Sequence, residues 1–386
     1  MYIKRDMEDY LLYISKKFPV VTLTGPRQSG KSTLVRHVFD QKKYVSCEDP
    51  DVQLFAGQDP RGFLQTYSDA VIDEAQKVPE IFSYIQTVVD ETGQPGQFVL
   101  TGSSDFLLFE KITQSLAGRT AVLNLLPFSL QEVESIAHCE AYEEYIFSGF
   151  YPRMYNMNIP PGDFYPGYVR TYVERDVRAL KNISNLAQFQ LFLKMCAGRT
   201  GQLLNLSALA NECGISHPTA KSWISVLEAS FIIFLLRPHY KNFNKRLVKM
   251  PKLYFYDPGL AAFLLDIRSS KQIQTHYLKG ALFETFILSE FMKRTFNQGQ
   301  VSHFYFWRDK RGNEIDCLVD KGKSVLPIEI KAGRTINQDF FKGTDYFLGL
   351  ADELSEKPCL IYGGDRDQER TKARVISWEN IGRLEL

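Results

Sequence analysis

The stretch PVVTLTGPRQSGKSTLVRHVF (residues 19–39) decides the fold of the N-terminal part of the chain. An apolar strand pattern over 19–24 runs directly into glycine, four residues, glycine, lysine and serine, and a helical pattern follows. Gly25 and Gly30 permit backbone angles that wrap amide groups around phosphate oxygens, and the helix start adds the positive end of its dipole. The spacing therefore predicts a nucleotide phosphate loop made of Gly25, Pro26, Arg27, Gln28, Ser29, Gly30, Lys31, Ser32 and Thr33.

Two acidic residues end an apolar strand downstream of this loop. The segment AVIDE (70–74) predicts a buried strand that ends at Asp73, with Glu74 beside it. We expect Lys31 to bind the β and γ phosphates of ATP, and Ser32 and Asp73 to ligate Mg²⁺. Glu74 stands where a general base can polarise the attacking water. The alternative, that the two acids only favour a helix N-terminus, is the weaker interpretation next to a complete phosphate loop.

Two further positions are candidates for contacts with the γ phosphate. Ser103 and Ser104 follow the predicted strand QFVLT (97–101), and either can sense that phosphate. Serine is also an ordinary turn residue, which is the alternative. Arg119 is a candidate arginine finger acting on a neighbouring copy, which implies a homo-oligomer. A plain surface arginine is the alternative for Arg119.

Strands alternate with helical patterns through the first 135 residues, which is typical of an α/β domain with a mostly parallel sheet. The predicted strands are PVVTLT (19–24), KYVSC (43–47), DAVID (69–73), QFVLT (97–101) and AVLNLL (121–126). Residues 140–195 are predicted to be mostly helical, with a loop over NMNIPPGDFYPG (156–167).

Composition limits the classes of function. The chain has 386 residues, enough for two or three domains, and its 46 basic and 45 acidic residues nearly cancel, so any nucleic-acid surface must be local. No apolar run is long enough to cross a membrane, and the N-terminal segment has no signal-peptide core. The cysteines are scattered without a Cys-x-x-Cys pair. We therefore expect a cytoplasmic protein with reduced thiols and without a membrane segment.

Residues 18–150 resemble the AAA-type ATPase module of a large set of uncharacterised bacterial and archaeal proteins. The matching stretches are TLTGPRQSGKSTL (22–34), AVIDEAQKVPEI (70–81), FVLTGSSDFLL (98–108), SLAGRTAVLNLLPFSLQE (115–132), GFYP (149–152) and YVERDV (172–177). The resemblance implies a P-loop NTPase sheet with a helical lid, ATP and Mg²⁺ as ligands, and ATP hydrolysis. Arg175 in the last stretch is a candidate lid or interface contact. The sensor position departs from the usual pattern, because it offers serine where asparagine is common.

The middle of the chain predicts a winged helix. LLNLSALANECGISHPTAKSWISVL (203–227) contains a short helix, a break at Gly214 and a second helix capped by Ser216. FIIFLLRPHY and PKLYFYDPG then predict the two arms of a β-wing. His217, Thr219, Lys221 and Ser222 are expected on the exposed face of the second helix, and basic residues crowd 237–252. We expect local contact with double-stranded DNA through residues 217–252; interdomain packing and a solvated basic wing are the alternatives.

Three carboxylates and a lysine in the last part of the chain are candidates for a second site. Glu284 interrupts an almost entirely apolar helix over 278–294, where an unpaired carboxylate is costly. In EIDCLVD (314–320), strand alternation puts Ile315, Cys317 and Val319 on one face and Asp316 on the other, and in LPIEIKAG (326–333) Glu329 and Lys331 share a face. Converging carboxylates can bind Mg²⁺, and the lysine can orient water. Glu284, Asp316 and Glu329 are therefore candidate metal ligands, and together with Lys331 they are the candidate catalytic set.

This order resembles the PD-(D/E)xK restriction-endonuclease-like core, and the C-terminal domain of the same ATPase family carries the pattern. The expected architecture is an ATPase domain with a helical extension over 1–180, a winged-helix-like domain over 181–270 and a nuclease-like α/β domain over 271–386. Two functions stay open: an ATPase that gates DNA binding and metal-dependent cleavage, or a nucleotide-dependent switch or remodeller whose C-terminal domain only binds a partner. The acids and lysine can equally form a buried ion-pair network.

Overall fold

The strands beside the phosphate loop assemble into a parallel sheet. The computed structural model describes residues 2–102, 115–173, 186–239, 249–351 and 355–386. The N-terminal elements are α1 (Glu8–Ser15), β1 (Val20–Thr24), α2 (Lys31–Val38), β2 (Lys43–Ser46), α3 (Pro50–Gln58), α4 (Pro60–Thr66), β3 (Ala70–Asp73), a 3₁₀ turn (Ala75–Lys77), α5 (Ile81–Thr92), β4 (Phe98–Thr101), β5 (Thr120–Asn124) and α6 (Leu130–Glu134). All predicted strands of this region are confirmed. In the described part the sheet has five strands in the order β2-β3-β4-β1-β5, all parallel.

Helices cover both faces of this sheet. Successive strand residues point to opposite faces, so Val20 and Ile72 pack with Phe82 of α5, whereas Val21 packs with Leu34 of α2. The central strands β1, β3 and β4 are buried along their whole length. Because parallel strands meet at one edge by their carboxyl ends, the loop after β1 lies beside the ends of β3 and β4.

The middle region contains short helices and a small antiparallel sheet. Its elements are α7 (Tyr142–Ser148), α8 (Pro152–Met157), α9 (Pro161–Tyr168), a π-helical turn (Val169–Val173), α10 (Leu186–Ala197), β6 (Gln202–Leu203), α11 (Leu206–Glu212), α12 (His217–Ala229), β7 (Ile233–Pro238), β8 (Lys252–Phe255), α13 (Pro258–Leu264) and α14 (Ser270–Thr275). The two predicted wing arms, β7 and β8, are antiparallel partners.

The loop predicted over 156–167 is wrong, because α9 begins at Pro161. A proline in the first helical turn gives up only an amide that has no helical partner anyway. Phe164, Tyr165 and Tyr168 bury their rings in the main core. Burial of these aromatic rings outweighs the local preference of a proline- and glycine-rich segment for a loop.

The C-terminal region is built on a mixed sheet. Its elements are α15 (Lys279–Asn297), β9 (Phe304–Arg308), β10 (Glu314–Asp320), β11 (Val325–Lys331), a 3₁₀ turn (Gln338–Phe341), α16 (Lys342–Ala351), β12 (Cys359–Tyr362), β13 (Gln368–Glu369), β14 (Arg374–Ser377) and a 3₁₀ turn (Trp378–Arg383). The predicted apolar helix and the two predicted strands, β10 and β11, are confirmed. Among the described residues the sheet order is β13-β14-β12-β11-β10-β9-β7-β8-β6, so strands of the middle region continue the C-terminal sheet.

This continuity changes the expected basic wing. β7 pairs in parallel with β9 through Arg237 and Tyr305, so β7 is an internal strand. Lys252 is 2% exposed and cannot reach a DNA backbone, whereas Arg237 and Lys249 are exposed. The prediction of Lys252 as part of a solvated DNA footprint is therefore wrong. Its ammonium is buried because carboxylates of the C-terminal region surround it.

A β-bulge corrects the predicted faces of β10. Its pairing with β9 shifts register between Ile315 and Leu318. Ile315 consequently packs with Leu318, and Cys317 and Val319 pack in a different cluster. Strict alternation failed here because a bulge adds one residue to one strand and reverses the faces beyond it.

None of the described helices is long and apolar enough to cross a membrane. All six cysteines lie in the described part of the chain, and each is a free thiol. The cytoplasmic location stays a prediction.

Candidate functional site

The backbone of the phosphate loop requires its glycines. Gly25 has φ +140°, and a Cβ there would lie 2.1 Å from the carbonyl oxygen of Leu125. Gly30 precedes α2 with φ +95°, and Gln28 also adopts a positive φ of 62°. These angles bend the chain tightly between β1 and α2, with the helix start facing a cleft. The cleft is lined by Arg27, Gln28, Gly30, Lys31, Ser32, Thr33, Glu48, Asp73 and Glu74.

The predicted lysine is buried within the loop. Lys31 is 6% exposed, and its ammonium donates hydrogen bonds to the carbonyl oxygens of Gly25 and Pro26, both at 2.8 Å. The side chain is therefore held over the loop, where a flexible stem can turn a point charge toward phosphate oxygens. Glu48 also lines the cleft and was not predicted, because no motif marks the turn after β2.

Asp73 collects hydroxyl groups at the end of β3. Ser32 Oγ donates to Asp73 Oδ1 at 3.1 Å, and the hydroxyls of Tyr44 and Thr101 donate to the same carboxylate. Burial and the hydrogen bond to Asp73 raise the pKa of Tyr44 to about 12. The structure brings the two predicted Mg²⁺ ligands Ser32 and Asp73 together, and their oxygen atoms are donors that suit Mg²⁺. The strand register explains Thr101, since Ile72 pairs with Leu100 and the next residues of both strands lie side by side.

Glu74 has an unusual backbone. Its φ of 54° is left-handed, a conformation that costs energy for a residue with a Cβ and tends to be retained at functional sites. The carboxylate accepts a hydrogen bond of 2.5 Å from Gln76 Nε2 and is 9% exposed. The Oε1 atom of Gln76 is buried and has no hydrogen-bond partner among the described residues. Gln76 is thus a second functional candidate that no sequence motif indicated.

The remaining nucleotide-site predictions are not brought together here. Ser103, Ser104 and Arg175 lie outside the described residues. Arg119 precedes β5, and its carbonyl accepts from the amide of Val20, so it lies at the edge of the sheet opposite the loop. Its guanidinium donates to both carboxylate oxygens of Asp90, at 2.5 and 2.8 Å. A role on a neighbouring copy stays a prediction.

The C-terminal region brings Asp316, Glu329 and Lys331 together. Lys331 Nζ lies 2.8 Å from Asp316 Oδ2 and 2.7 Å from Glu329 Oε2. Burial favours protonation of both acids, but the ammoniums of Lys331 and Lys252 hold the pKa of Asp316 well below its usual range. Burial and the nearby Asp316 charge raise the pKa of Glu329 well above its usual value. The predicted convergence is therefore confirmed, with Lys331 between the two acids.

Glu284 joins this group through residues of the middle region. Lys252 Nζ lies 3.1 Å from Glu284 Oε1 and also contacts Glu314, while the hydroxyl of Tyr254 donates to Glu284. Burial raises the pKa of Glu284 to about 7 against the opposing effect of Lys252. Sequence reasoning missed Lys252 and Tyr254, because both come from β8, more than 25 residues before the C-terminal motif begins at Glu284.

Two lysines lie among the acids of this second site. In the part of the chain that the structure describes, no group of three or more His, Cys, Asp or Glu side chains is placed to hold a metal ion. Lys252 contacts Glu284 and Glu314, and Lys331 contacts Asp316 and Glu329, so each ammonium group bridges two acids. We call this group of Lys252, Tyr254, Glu284, Glu314, Asp316, Glu329 and Lys331 the carboxylate–lysine cluster.

The nucleotide site and its parallel sheet define the first third of the chain as an AAA-type P-loop ATPase domain. Residues 17–134 match the family described as an AAA domain, and residues 139–271 and 279–381 match two domains of unknown function, DUF8612 and DUF4143. The chain belongs to the same family as the uncharacterised proteins Rv2008c of Mycobacterium tuberculosis and Mb2031c of Mycobacterium bovis. Each is 30% identical over 338 residues, which cover 86% of this chain and 74% of the relative.

More distant similarities extend to archaea. The uncharacterised protein MJ1544 of Methanocaldococcus jannaschii is 22% identical over 351 residues, 82% of this chain and 75% of that protein. Among solved structures, the Walker-type ATPase PABY2304 of Pyrococcus abyssi superposes over 68% of this chain and 96% of its own, with 14% identity and a TM-score of 0.45. AMPPCP-bound DnaA of Aquifex aeolicus covers 57% of this chain and 85% of its own, with 12% identity and a TM-score of 0.31.

Proposed function

We propose that this protein hydrolyses ATP with Mg²⁺ in the cleft between the phosphate loop and the ends of β3 and β4. The observation that carries the proposal is the 3.1 Å contact of Ser32 with Asp73 in the cleft that Lys31 also lines. Serine hydroxyl and aspartate oxygens are ligands that Mg²⁺ prefers. When bound, Mg²⁺ supplies positive charge that stabilises the β and γ phosphates as the bond between them breaks.

The side chains of the cleft divide the remaining work. Lys31 leaves the carbonyls of Gly25 and Pro26 to bind the phosphates, because its ammonium has several donors on a flexible stem. Glu74 accepts a proton from the attacking water, and Gln76 fixes the direction of that carboxylate. Tyr44 and Thr101 hold Asp73 in place through their hydroxyls.

Two substitutions test the assignment. We expect Glu74→Gln to lower kcat about 100-fold or more while ATP still binds, because the amide cannot take the proton. Lys31→Ala is expected to weaken ATP binding as well. The measurements are steady-state phosphate release and binding of a fluorescent ATP analogue. Glu212→Gln, which changes an exposed glutamate paired with Arg199, is the control. Hydrolysis by Glu74→Gln at the wild-type rate would contradict the proposed base.

The winged-helix assignment belongs to this proposal. Its support is the order α10, β6, α11, α12, β7, β8 with the strands arranged β6-β8-β7. His217 and Lys221 on α12 are exposed, as are Arg237 and Lys249, and all four can contact phosphates. We propose a local, salt-sensitive contact with double-stranded DNA through this face.

Binding of a labelled duplex at two salt concentrations tests the contact. Lys221→Ala/Lys249→Ala is expected to weaken binding uniformly across sequences and to reduce its dependence on salt. Lys42→Ala, which removes a charge from the distant ATPase domain, is the control. Equal binding by wild type and the double variant would reject this face.

Of the two functions, the lysine–carboxylate contacts of the C-terminal domain favour the switch over the nuclease. The convergence of Glu284, Asp316, Glu329 and Lys331 supports a restriction-endonuclease-like fold. Cleavage would require a divalent cation, and the ammonium groups of Lys252 and Lys331 already contact the carboxylates that would bind it. We therefore propose a nucleotide-dependent switch whose C-terminal domain binds a partner without cutting DNA.

Supercoiled plasmid with ATP and Mg²⁺ decides between the two. We expect no cleavage by the wild type or by Asp316→Ala, with ATP hydrolysis intact in both. Nicking by the wild type that disappears with Asp316→Ala would instead establish the nuclease.

A further inference from the structure

An arginine near the N-terminus, Arg5, donates a hydrogen bond to the backbone of the phosphate loop from outside the nucleotide cleft. Arg5 is 3% exposed, and it lies outside the residues matched by the AAA domain family, which begin at 17. Its Nη1 donates to the carbonyl oxygen of Ser29 at 2.7 Å, and its Nη2 donates to that of Leu126 at 2.8 Å. Its Nε donates to Glu132 at 2.9 Å, so the planar guanidinium holds three acceptors from three segments.

The contact with Ser29 constrains the loop amide that follows it. The carbonyl of Ser29 and the N–H of Gly30 belong to one planar trans peptide, so they point in opposite directions. A guanidinium that fixes the carbonyl also fixes that N–H. Gly30 lines the nucleotide cleft, and a Cβ there would lie 3.4 Å from Nη1 of Arg5. Arg5 thus sets the orientation of a peptide in the loop without lining the cleft itself.

Glu132 connects Arg5 to the N-terminus of α6. Its Oε1 accepts from Arg5 and from the amide of Asp6 at 2.7 Å, and its Oε2 accepts from the amide of Ser129 at 2.8 Å. The Ser129 hydroxyl donates to Asp6 at 2.7 Å and caps the same helix. Both oxygens of a nearly unexposed carboxylate are therefore committed, which leaves this corner little freedom to move.

The next contact crosses to the C-terminal region. The amide of Leu130, in the first turn of α6, donates to Glu290 of α15 at 2.7 Å. Glu290 also accepts from Lys293 at 2.5 Å, and the Lys293 ammonium lies 3.6 Å from the centre of the Phe150 ring. These side chains are buried where the three regions of the chain meet. Glu284 of the carboxylate–lysine cluster lies on the same helix, α15.

We infer that Arg5 is a positioning residue for the phosphate loop. We infer further that the route from Arg5 through Glu132 and the first turn of α6, whose Leu130 amide donates to Glu290, transmits the nucleotide state of the loop to α15. The inference rests on the proposed ATPase function and deepens it, because it names the route by which the switch reaches the C-terminal domain. Buried hydrogen-bonded groups of this kind can couple distant sites when the element they contact, here α15, has two arrangements. The affinity of nucleotide and the state of α15 then depend on each other reciprocally.

Arg5→Lys tests the positioning role. An ammonium keeps the charge but cannot reach three acceptors in the fork geometry of a guanidinium. We expect the KM for ATP to rise about tenfold and kcat to change less than about threefold, since charge-assisted hydrogen bonds are lost behind the loop. Arg199→Lys is the matched control, because Arg199 also donates to a backbone carbonyl and to a glutamate but lies in the middle region. A purely structural role would lower the melting temperature and leave KM unchanged.

Hydrogen exchange of α15 tests the transmission. We expect a non-hydrolysable ATP analogue with Mg²⁺ to change the exchange rates of residues 279–297 in the wild type. At saturating analogue, Arg5→Lys and Glu290→Gln should reduce that response at least about twofold, because Glu290→Gln keeps an acceptor for the Leu130 amide but removes the charge. The wild type and both variants are measured as the whole 386-residue chain.

The outcomes separate the two proposals. A wild type that neither binds nor hydrolyses ATP overturns the proposed function and the inference with it. A wild type that hydrolyses ATP, with Arg5→Lys at the wild-type KM, overturns the positioning role alone. Normal analogue binding without any response in α15, or a full response in both variants, overturns the transmission alone.

Discussion

The nucleotide cleft and the carboxylate–lysine cluster both combine lysines with acids, and they do so in opposite ways. In the cleft, Lys31 donates to backbone carbonyls, and hydroxyls of Ser32, Tyr44 and Thr101 donate to the Asp73 carboxylate. In the cluster, Lys252 bridges Glu284 and Glu314, and Lys331 bridges Asp316 and Glu329. In the cleft, neutral hydroxyls contact the Asp73 carboxylate, whereas in the cluster two ammonium groups already contact the four carboxylates.

The difference has an energetic reason. A buried carboxylate pays a large desolvation cost unless a cation or several donors compensate it. Asp73 meets that cost with neutral donors beside an open cleft, so a metal ion adds attraction without displacing a lysine. A metal ion entering the cluster would first have to displace an ammonium. The same residue types therefore predict a cofactor site in one region and a structural or switching site in the other.

Lys252→Met removes one cation from the cluster and should have the largest effect on stability. Methionine keeps the length of the stem, but Glu284 and Glu314 lose a buried partner. Breaking a buried pair from one side costs about 3–5 kcal/mol of unfolding free energy. Urea denaturation measures the loss. Adding Glu284→Gln should restore part of it, because the uncompensated charge is then gone.

An exposed pair provides the control for this prediction. Lys194→Met breaks a contact with Asp266 in which both side chains are at least half exposed, and it should cost about 0–1 kcal/mol. Equal losses in Lys252→Met and Lys194→Met would show that the cluster is not an ionic centre of the fold.

Thr101→Val removes one hydroxyl from the cleft and should have a moderate effect on activity. Valine keeps the shape, but Asp73 loses a buried hydrogen bond. We expect ATP hydrolysis to fall about tenfold, since a hydrogen bond to a charged group contributes about 1.5–3 kcal/mol. Steady-state phosphate release at saturating ATP measures it. Thr285→Val, which removes a buried hydroxyl paired with Thr200, should leave the rate nearly unchanged.

Local sequence patterns predicted the parts of the fold whose conformation depends on consecutive residues. The phosphate loop needs only consecutive residues, and the positive φ angles of Gly25 and Gly30 follow from it. The strand carrying Asp73 was predicted because a parallel sheet buries continuous apolar runs. Ser32 and Asp73 lie together because the loop after β1 and the end of β3 meet at one edge of the parallel sheet.

Contacts between distant segments were not predictable in this way. Lys252 enters the cluster only because β7 pairs with β9, and no local pattern specifies that pairing. Ile315 changed face because a bulge interrupts the alternation of β10. Arg5 lies before any motif, and its partners Leu126 and Glu132 are more than 120 residues away. Single long-range side-chain contacts have no periodic signal in one sequence.

The smallest expected effect comes from the exposed pair of Arg119 and Asp90, which extends the comparison to the surface. Arg119 lowers the pKa of Asp90 through a hydrogen bond, but both groups are hydrated, so Asp90→Asn should shift the melting temperature by no more than roughly 1 °C. Arg119→Ala separates the surface role from the predicted finger. If Arg119 is only a surface residue, Arg119→Ala leaves the ATPase activity unchanged. If Arg119 is a finger that acts on a neighbouring copy, Arg119→Ala abolishes the rise of specific ATPase activity with protein concentration. Activity of Asp90→Asn at several concentrations is the control, since freeing Arg119 leaves the finger intact.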